Sequence, residues 1–141
     1  LHMVFNWVVP GSFNIAFGET SVLFGVLFAA TSIALSMNWG LFTLGIYAFF
    51  AGLVALLIGV RLINLGLTNS PWLSGTGFIL TGIGGIFAAP TLYWKRNRTL
   101  RLIGAIVLLV AALIFGFIGF NAYWAHLQGF TDWKPLPMRS P

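Results

Sequence analysis

The sequence contains no cysteine. A disulfide framework, an iron–sulfur site and a thiolate-held metal are therefore excluded, and the redox compartment stays open. Charge is nearly as scarce. Seven Lys or Arg and two Asp or Glu make up 6% of 141 residues, for a formal net charge of +5. Soluble domains carry about 25% charged residues. Nine charges cannot cover a globule of this size, so a soluble monomer is excluded. Disorder is excluded by what is abundant: the chain is 59% hydrophobic and 16% aromatic, whereas disordered chains are polar and poor in aromatics. The positive balance does not point to nucleic acid. The basic residues form no face among polar neighbours but fall mainly in one short run between apolar segments, a pattern of membrane topology and lipid headgroup contact.

What is present is long apolar runs. A membrane-spanning helix needs about 20 apolar residues, and four stretches supply them, at 15–37, 41–67, 71–94 and 100–127. The links are short: Asn38-Trp39-Gly40, Thr68-Asn69-Ser70 and the basic Lys95-Arg96-Asn97-Arg98-Thr99. Short links place successive helices side by side and antiparallel. The runs are continuous rather than alternating, which favours helices over a β-barrel. The expected fold is all-α, a polytopic up-down-up-down bundle of four transmembrane helices. Thr68, Asn69 or Ser70 can cap a helix, with Pro71 suited to its first turn. Pro90 is expected to kink the third helix or end its regular part early. Trp7, Trp39, Trp72, Trp94, Trp124 and Trp133 fall at or near segment ends, as an interfacial aromatic belt requires.

Two flanks lie outside this domain. Residues 1–14 hold Pro10-Gly11, which reads as a turn, and residues 128–141 hold Gly129, Pro135, Pro137 and Pro141, an extended tail expected to be held by a partner. Leu1 is not an initiator methionine; a helix upstream of it would raise the count to five and put the termini on opposite sides. The cluster Lys95, Arg96, Arg98 and Arg101 predicts a cytoplasmic loop by the positive-inside rule, against Arg61, Lys134 and Arg139 on the other side. Both termini are then expected outside, in a bacterial or archaeal inner membrane.

Small residues mark the helix faces. Gly45, Gly52, Gly59 and Gly66 recur every seven residues, with Ala48 and Ala55 between them. Gly77, Thr81, Gly85 and Ala89 are each four apart. The first helix carries Gly18, Gly25, Ala29, Ser32 and Ser36; the fourth carries Ala105, Ala112, Gly116 and Gly119. Small residues let helices approach closely, the main route to association in lipid. Packing within the bundle accounts for all of these stripes; docking of a neighbouring subunit, or of a flat cofactor, is the sharper alternative. No polar stripe runs the length of a helix, which counts against a pore or proton relay.

The polar residues form a short list. Glu19 opens the first helix, where its carboxylate suits the helix dipole, or it pairs with Arg61, near the outer end of the second helix. Arg61 can equally snorkel to headgroups. His126 follows Ala105, Ala112 and Gly119 at sevenfold spacing and is expected to face the other helices. With His2 it permits haem ligation, or one of them a chlorophyll magnesium or a copper ion; an aromatic-belt role beside Tyr123 and Trp124 is the plainer reading. Asp132 suits a turn or local ion pair. No nucleophile–base pair, paired-acid site or phosphate loop is recognisable by spacing.

The run Pro10-Gly11-Ser12-Phe13-Asn14-Ile15-Ala16-Phe17-Gly18-Glu19, with Gly45-Ile46-Tyr47-Ala48-Phe49-Phe50-Ala51-Gly52 and Gly59-Val60-Arg61, resembles a family of small prokaryotic membrane proteins known as domain of unknown function 981. The resemblance covers most of residues 1–120 and implies no activity or site. The function expected is that of a non-catalytic accessory subunit of a larger respiratory, photosynthetic or oxygenase membrane complex, with other membrane subunits and lipids as partners. An electron-transfer subunit binding haem, chlorophyll or a metal through His126 and His2 is one alternative. A lipid- or small-molecule-binding or transport module, with Glu19 and Arg61 holding a polar head, is another.

Overall fold

The computed structural model describes residues 14–94, 96–129 and 131. A π-helical turn, Asn14–Glu19, leads into α1 (Thr20–Ser36), followed by α2 (Phe42–Leu65), α3 (Pro71–Tyr93) and α4 (Arg98–Gln128). Four segments are long and apolar enough to cross a membrane: Ala16–Ser36, Phe42–Leu65, Pro71–Tyr93 and Arg98–Gln128. The protein is a multi-pass membrane protein built as an all-α bundle of four helices.

The helix ends follow local chemistry. Asn38 takes the left-handed conformation (φ 55°), and the Trp39 N–H donates back to the Ala34 carbonyl at 2.8 Å, closing α1 in a Schellman-like turn. Gly66 does the same for α2 (φ 61°), with the Leu67 N–H reaching the Leu62 carbonyl at 3.3 Å. Gly66 is thus a helix stop, not a fourth member of the sevenfold stripe. Pro71 sits in the first turn of α3, while Ser70 at the cap position makes no side-chain capping bond; Thr68 Oγ1 instead donates to Ser74 Oγ at 3.3 Å. Asn97 Oδ1 accepts the Leu100 N–H at 3.0 Å and caps α4, so Arg98 and Arg101 stand in the first turn of a helix rather than in a loop. Pro90 lies inside α3, which stays helical to Tyr93.

The central pair is α2 with α3. A Cβ built on Gly52 would lie 2.6 Å from the Gly82 carbonyl oxygen, and one on Gly82 would lie 2.7 Å from the Gly52 oxygen. No side chain fits between the two backbones, so glycine is obligatory at both positions. Gly59 against Gly75 and Gly45 against Ala89 extend the contact along the pair.

The other stripes fall differently from their spacing. On α3, Gly85 faces α2 but Gly77 faces Ile114 and Phe115 of α4. A four-residue spacing rotates about 40° per step on a helix of 3.6 residues per turn, so Gly77 and Gly85 diverge by about 80°. The face of α3 that meets α2 repeats at seven instead, through Gly75, Gly82 and Ala89. On α1, Gly25, Ala29, Ser32 and Ser36 are exposed and the buried positions are Thr20, Leu27 and Ala34; of that stripe only Gly18, in the π-helical turn, is buried. On α4 only Ala111 is buried; Ala105, Ala112 and Gly116 are exposed.

At the end of the bundle where α1 begins and α2 finishes, the π-helical turn closes the core. Ala16, Ala55, Leu62 and Phe78 are buried together, with Phe17 and Phe115 packed against them. Phe78 meets Phe17 edge-on at 5.4 Å and Phe115 at 5.1 Å between centroids, a favourable quadrupolar arrangement.

Candidate functional site

The ionisable residues do not converge. Glu19 ends the π-helical turn, exposed, and makes no capping bond to α1. Arg61 is exposed one turn before the end of α2. Among the described residues no ion pair joins them. His126 lies in the last turn of α4 and is exposed, pointing away from the helices rather than among them. Among the described residues there is no group of three His, Asp or Glu able to hold a metal ion. His2, Lys95, Asp132, Lys134 and Arg139 lie outside the described residues, as do the turn at Pro10-Gly11 and the Pro-rich end of the tail.

α4 is unlike its neighbours. At 31 residues it is about 46 Å long, well beyond the hydrocarbon thickness of about 30 Å. Every residue from Asn121 to Gln128 is exposed. Phe120 is 79% exposed and Trp124 76%. A Cβ on Gly116 or Gly119 would meet nothing within 4 Å. Among the described residues, nothing packs against this glycine pair, of which Gly116 is exposed and Gly119 half-buried.

At the basic end of the bundle, opposite the aromatic core, α2 and α3 stay in contact but α1 and α4 do not close over them. A cavity of about 440 Å³ lies between them. α1 and α4 line it from opposite sides and do not form one of the main packed pairs. Small residues line part of it, Gly45 and Ala48 on α2, Gly84 and Ala88 on α3, Gly104 and Ala105 on α4, between bulky apolar side chains such as Phe24, Phe28, Phe87 and Leu108. Thr31, Thr81 and Thr91 line it too; the Thr31 and Thr81 hydroxyls donate to the Leu27 and Gly77 carbonyls of their own helices at 2.7 and 2.9 Å, and Thr91 stands near the basic end, so the depth of the space is apolar. Arg101, exposed in the first turns of α4, supplies the charge. Gly45, Ala105 and Arg101 each stood out in the sequence; Gly104 did not. The missing signal was that small residues on three helices stand at one depth, on the side where the basic residues cluster.

A family model described as Protein of unknown function (DUF981) matches residues 1–129. The chain belongs to that family. The match to DUF981 takes in the π-helical turn and all four helices, so the fold described here is the family domain and not an addition to it. No curated protein and no solved structure matches the chain.

Proposed function

We propose that this DUF981 protein is a non-catalytic accessory subunit of a larger prokaryotic membrane complex, docked to its neighbours through α4. The observation that carries the reading is the open face at Gly116 and Gly119, on a helix whose contact with the rest of the chain is confined to one side. Elsewhere in the molecule glycine is used for backbone contact between helices, and a glycine face on a transmembrane helix suits the same use by a second chain. The absence of any nucleophile–base spacing in the sequence supports a structural rather than a catalytic role. By the positive-inside rule the Arg96, Arg98 and Arg101 end is cytoplasmic, which puts the overhanging end of α4 outside.

The test is the size of the native particle in mild detergent. The expected result is an assembly well above the 15.4 kDa chain, which Gly116→Leu with Gly119→Leu reduces to the lone subunit without loss of helix content. A lone chain from the wild type, with no co-purifying protein, overturns the proposal.

A further inference from the structure

The cavity at the basic end has dimensions that restrict its occupant. Along α3 it runs from Thr81 to Leu92, about 16 Å of helix. Half the hydrocarbon thickness of a bilayer is about 15 Å. The space therefore reaches from the level of the basic residues to near the middle of the membrane, the depth of one leaflet. Its volume of about 440 Å³ falls in the usual range for ligand pockets, about 300–1,000 Å³. The side walls are largely apolar: the Thr31 and Thr81 hydroxyls are bonded to their own helices, and the third lining threonine, Thr91, stands at the headgroup end, two residues before α3 ends. At the headgroup end the lining residue is cationic, Arg101, and Arg96 and Arg98 lie at the same end, all three exposed. Glu19, the acid among the described residues, is at the opposite end of the bundle.

We propose that this cavity is a site for an anionic phospholipid, with one acyl chain between α1 and α4 and the phosphate at Arg101. Charge complementarity selects the head: a guanidinium binds a phosphate through paired N–H donors, and each basic residue at a bilayer surface favours an anionic lipid. Shape selects the tail, because an apolar slot one leaflet deep, lined by Phe and Leu side chains with glycine and alanine between them, matches an extended chain standing parallel to the helices. An apolar ligand with no head would leave Arg101 unmatched, and a free phosphate would leave the slot unfilled. The site is at the opposite end from Glu19 and Arg61, and it does not depend on the docking role of α4.

The experiment uses the full chain, reconstituted in nanodiscs of phosphatidylcholine with a minority of phosphatidylglycerol, then released and weighed by native mass spectrometry. The expected result is one retained phosphatidylglycerol per chain, preferred over phosphatidylcholine by about fivefold or more, the factor that corresponds to roughly 1 kcal/mol per basic residue. Arg101→Gln lowers that preference towards unity, while Arg61→Gln leaves it unchanged. Gly104→Leu fills the cavity from a position where an added Cβ meets nothing within 4 Å, and it abolishes retention of both lipids with helix content intact. Ala105→Phe serves the same purpose should Gly104→Leu fail to fold. Equal retention of the two lipids by the wild type overturns the proposal. So does a lipid adduct that survives a folded cavity-filling variant, an effect of Arg61→Gln as large as that of Arg101→Gln, or displacement of the lipid by inorganic phosphate alone.

Discussion

The two ends of this bundle are made from the same four helices and differ in how they are filled. At the end where α1 begins, Phe17, Phe78 and Phe115 stack edge-on from the π-helical turn, α3 and α4, over Ala16, Ala55 and Leu62. At the other end the apolar side chains stand around a common space, with glycine and alanine between them, and leave it open. Between them runs the α2–α3 pair, held by backbone contact from Gly45 and Ala89 to Gly59 and Gly75. That contact spans both halves, so α2 and α3 do not need α1 and α4 at the basic end to stay together. In lipid there is also no hydrophobic force to close a gap between helices, because acyl chains are as apolar as the side chains they replace. A membrane bundle can therefore keep a slot that water would make costly.

The comparison can be broken first at the part both halves share. Gly82→Leu drives a side chain into the Gly52 backbone. Overpacking against movable side chains costs about 1–3 kcal/mol; here the obstacle is main chain, and the expected outcome is no monodisperse folded protein by size-exclusion chromatography. Next comes the closed end. Phe78→Ala removes the ring that both other rings touch and is expected to cost about 3–5 kcal/mol, seen as a lower midpoint in thermal unfolding followed by circular dichroism. The matched change at the open end, Phe87→Ala, removes a ring that lines the cavity and is 46% exposed; its expected cost is under about 1 kcal/mol. Equal costs for the two would mean that the ends are packed alike. Asn97→Ala removes the cap of α4 and costs about 1 kcal/mol, with faster amide exchange confined to the turn that carries Arg98 and Arg101. The smallest effect has the opposite sign. Gly25 is an exposed helix glycine with nothing within 4 Å, and Gly25→Ala is expected to stabilise by about 0.5–1 kcal/mol, read in the same thermal assay.

How far the sequence could be read depended on the range of the physics involved. The four spans were legible because hydropathy and helix length are properties of one segment at a time. The α2 stripe of Gly45, Gly52 and Gly59 was legible because a sevenfold repeat stays on one helix face. The α3 series Gly77, Thr81, Gly85 and Ala89 was not, because a fourfold repeat precesses around the helix and its members end against two different neighbours. Likewise His126 continues a series whose members do not share one environment: Ala105 lines the cavity, while Ala112 and His126 are exposed. Spacing told which residues share a face, but not which way the face points. The π-helical turn at Asn14–Glu19 was also missed, since the first apolar run reads equally well as one continuous α-helix.

Nine charges in 141 residues, and four long apolar runs that hold few of them, determined by themselves that this chain reads as four membrane-spanning helices. Those are consequences of transfer free energy and backbone satisfaction in lipid, which act on each segment independently of its neighbours. The tertiary structure decided the rest: which glycines meet backbone, that no described residue packs on Gly116 and Gly119 of α4, and that one end of the bundle stays open beside Arg101. These depend on the rotation and separation of helices relative to one another. In a bilayer that geometry is set by close packing between particular surfaces, not by the hydropathy that placed each helix there.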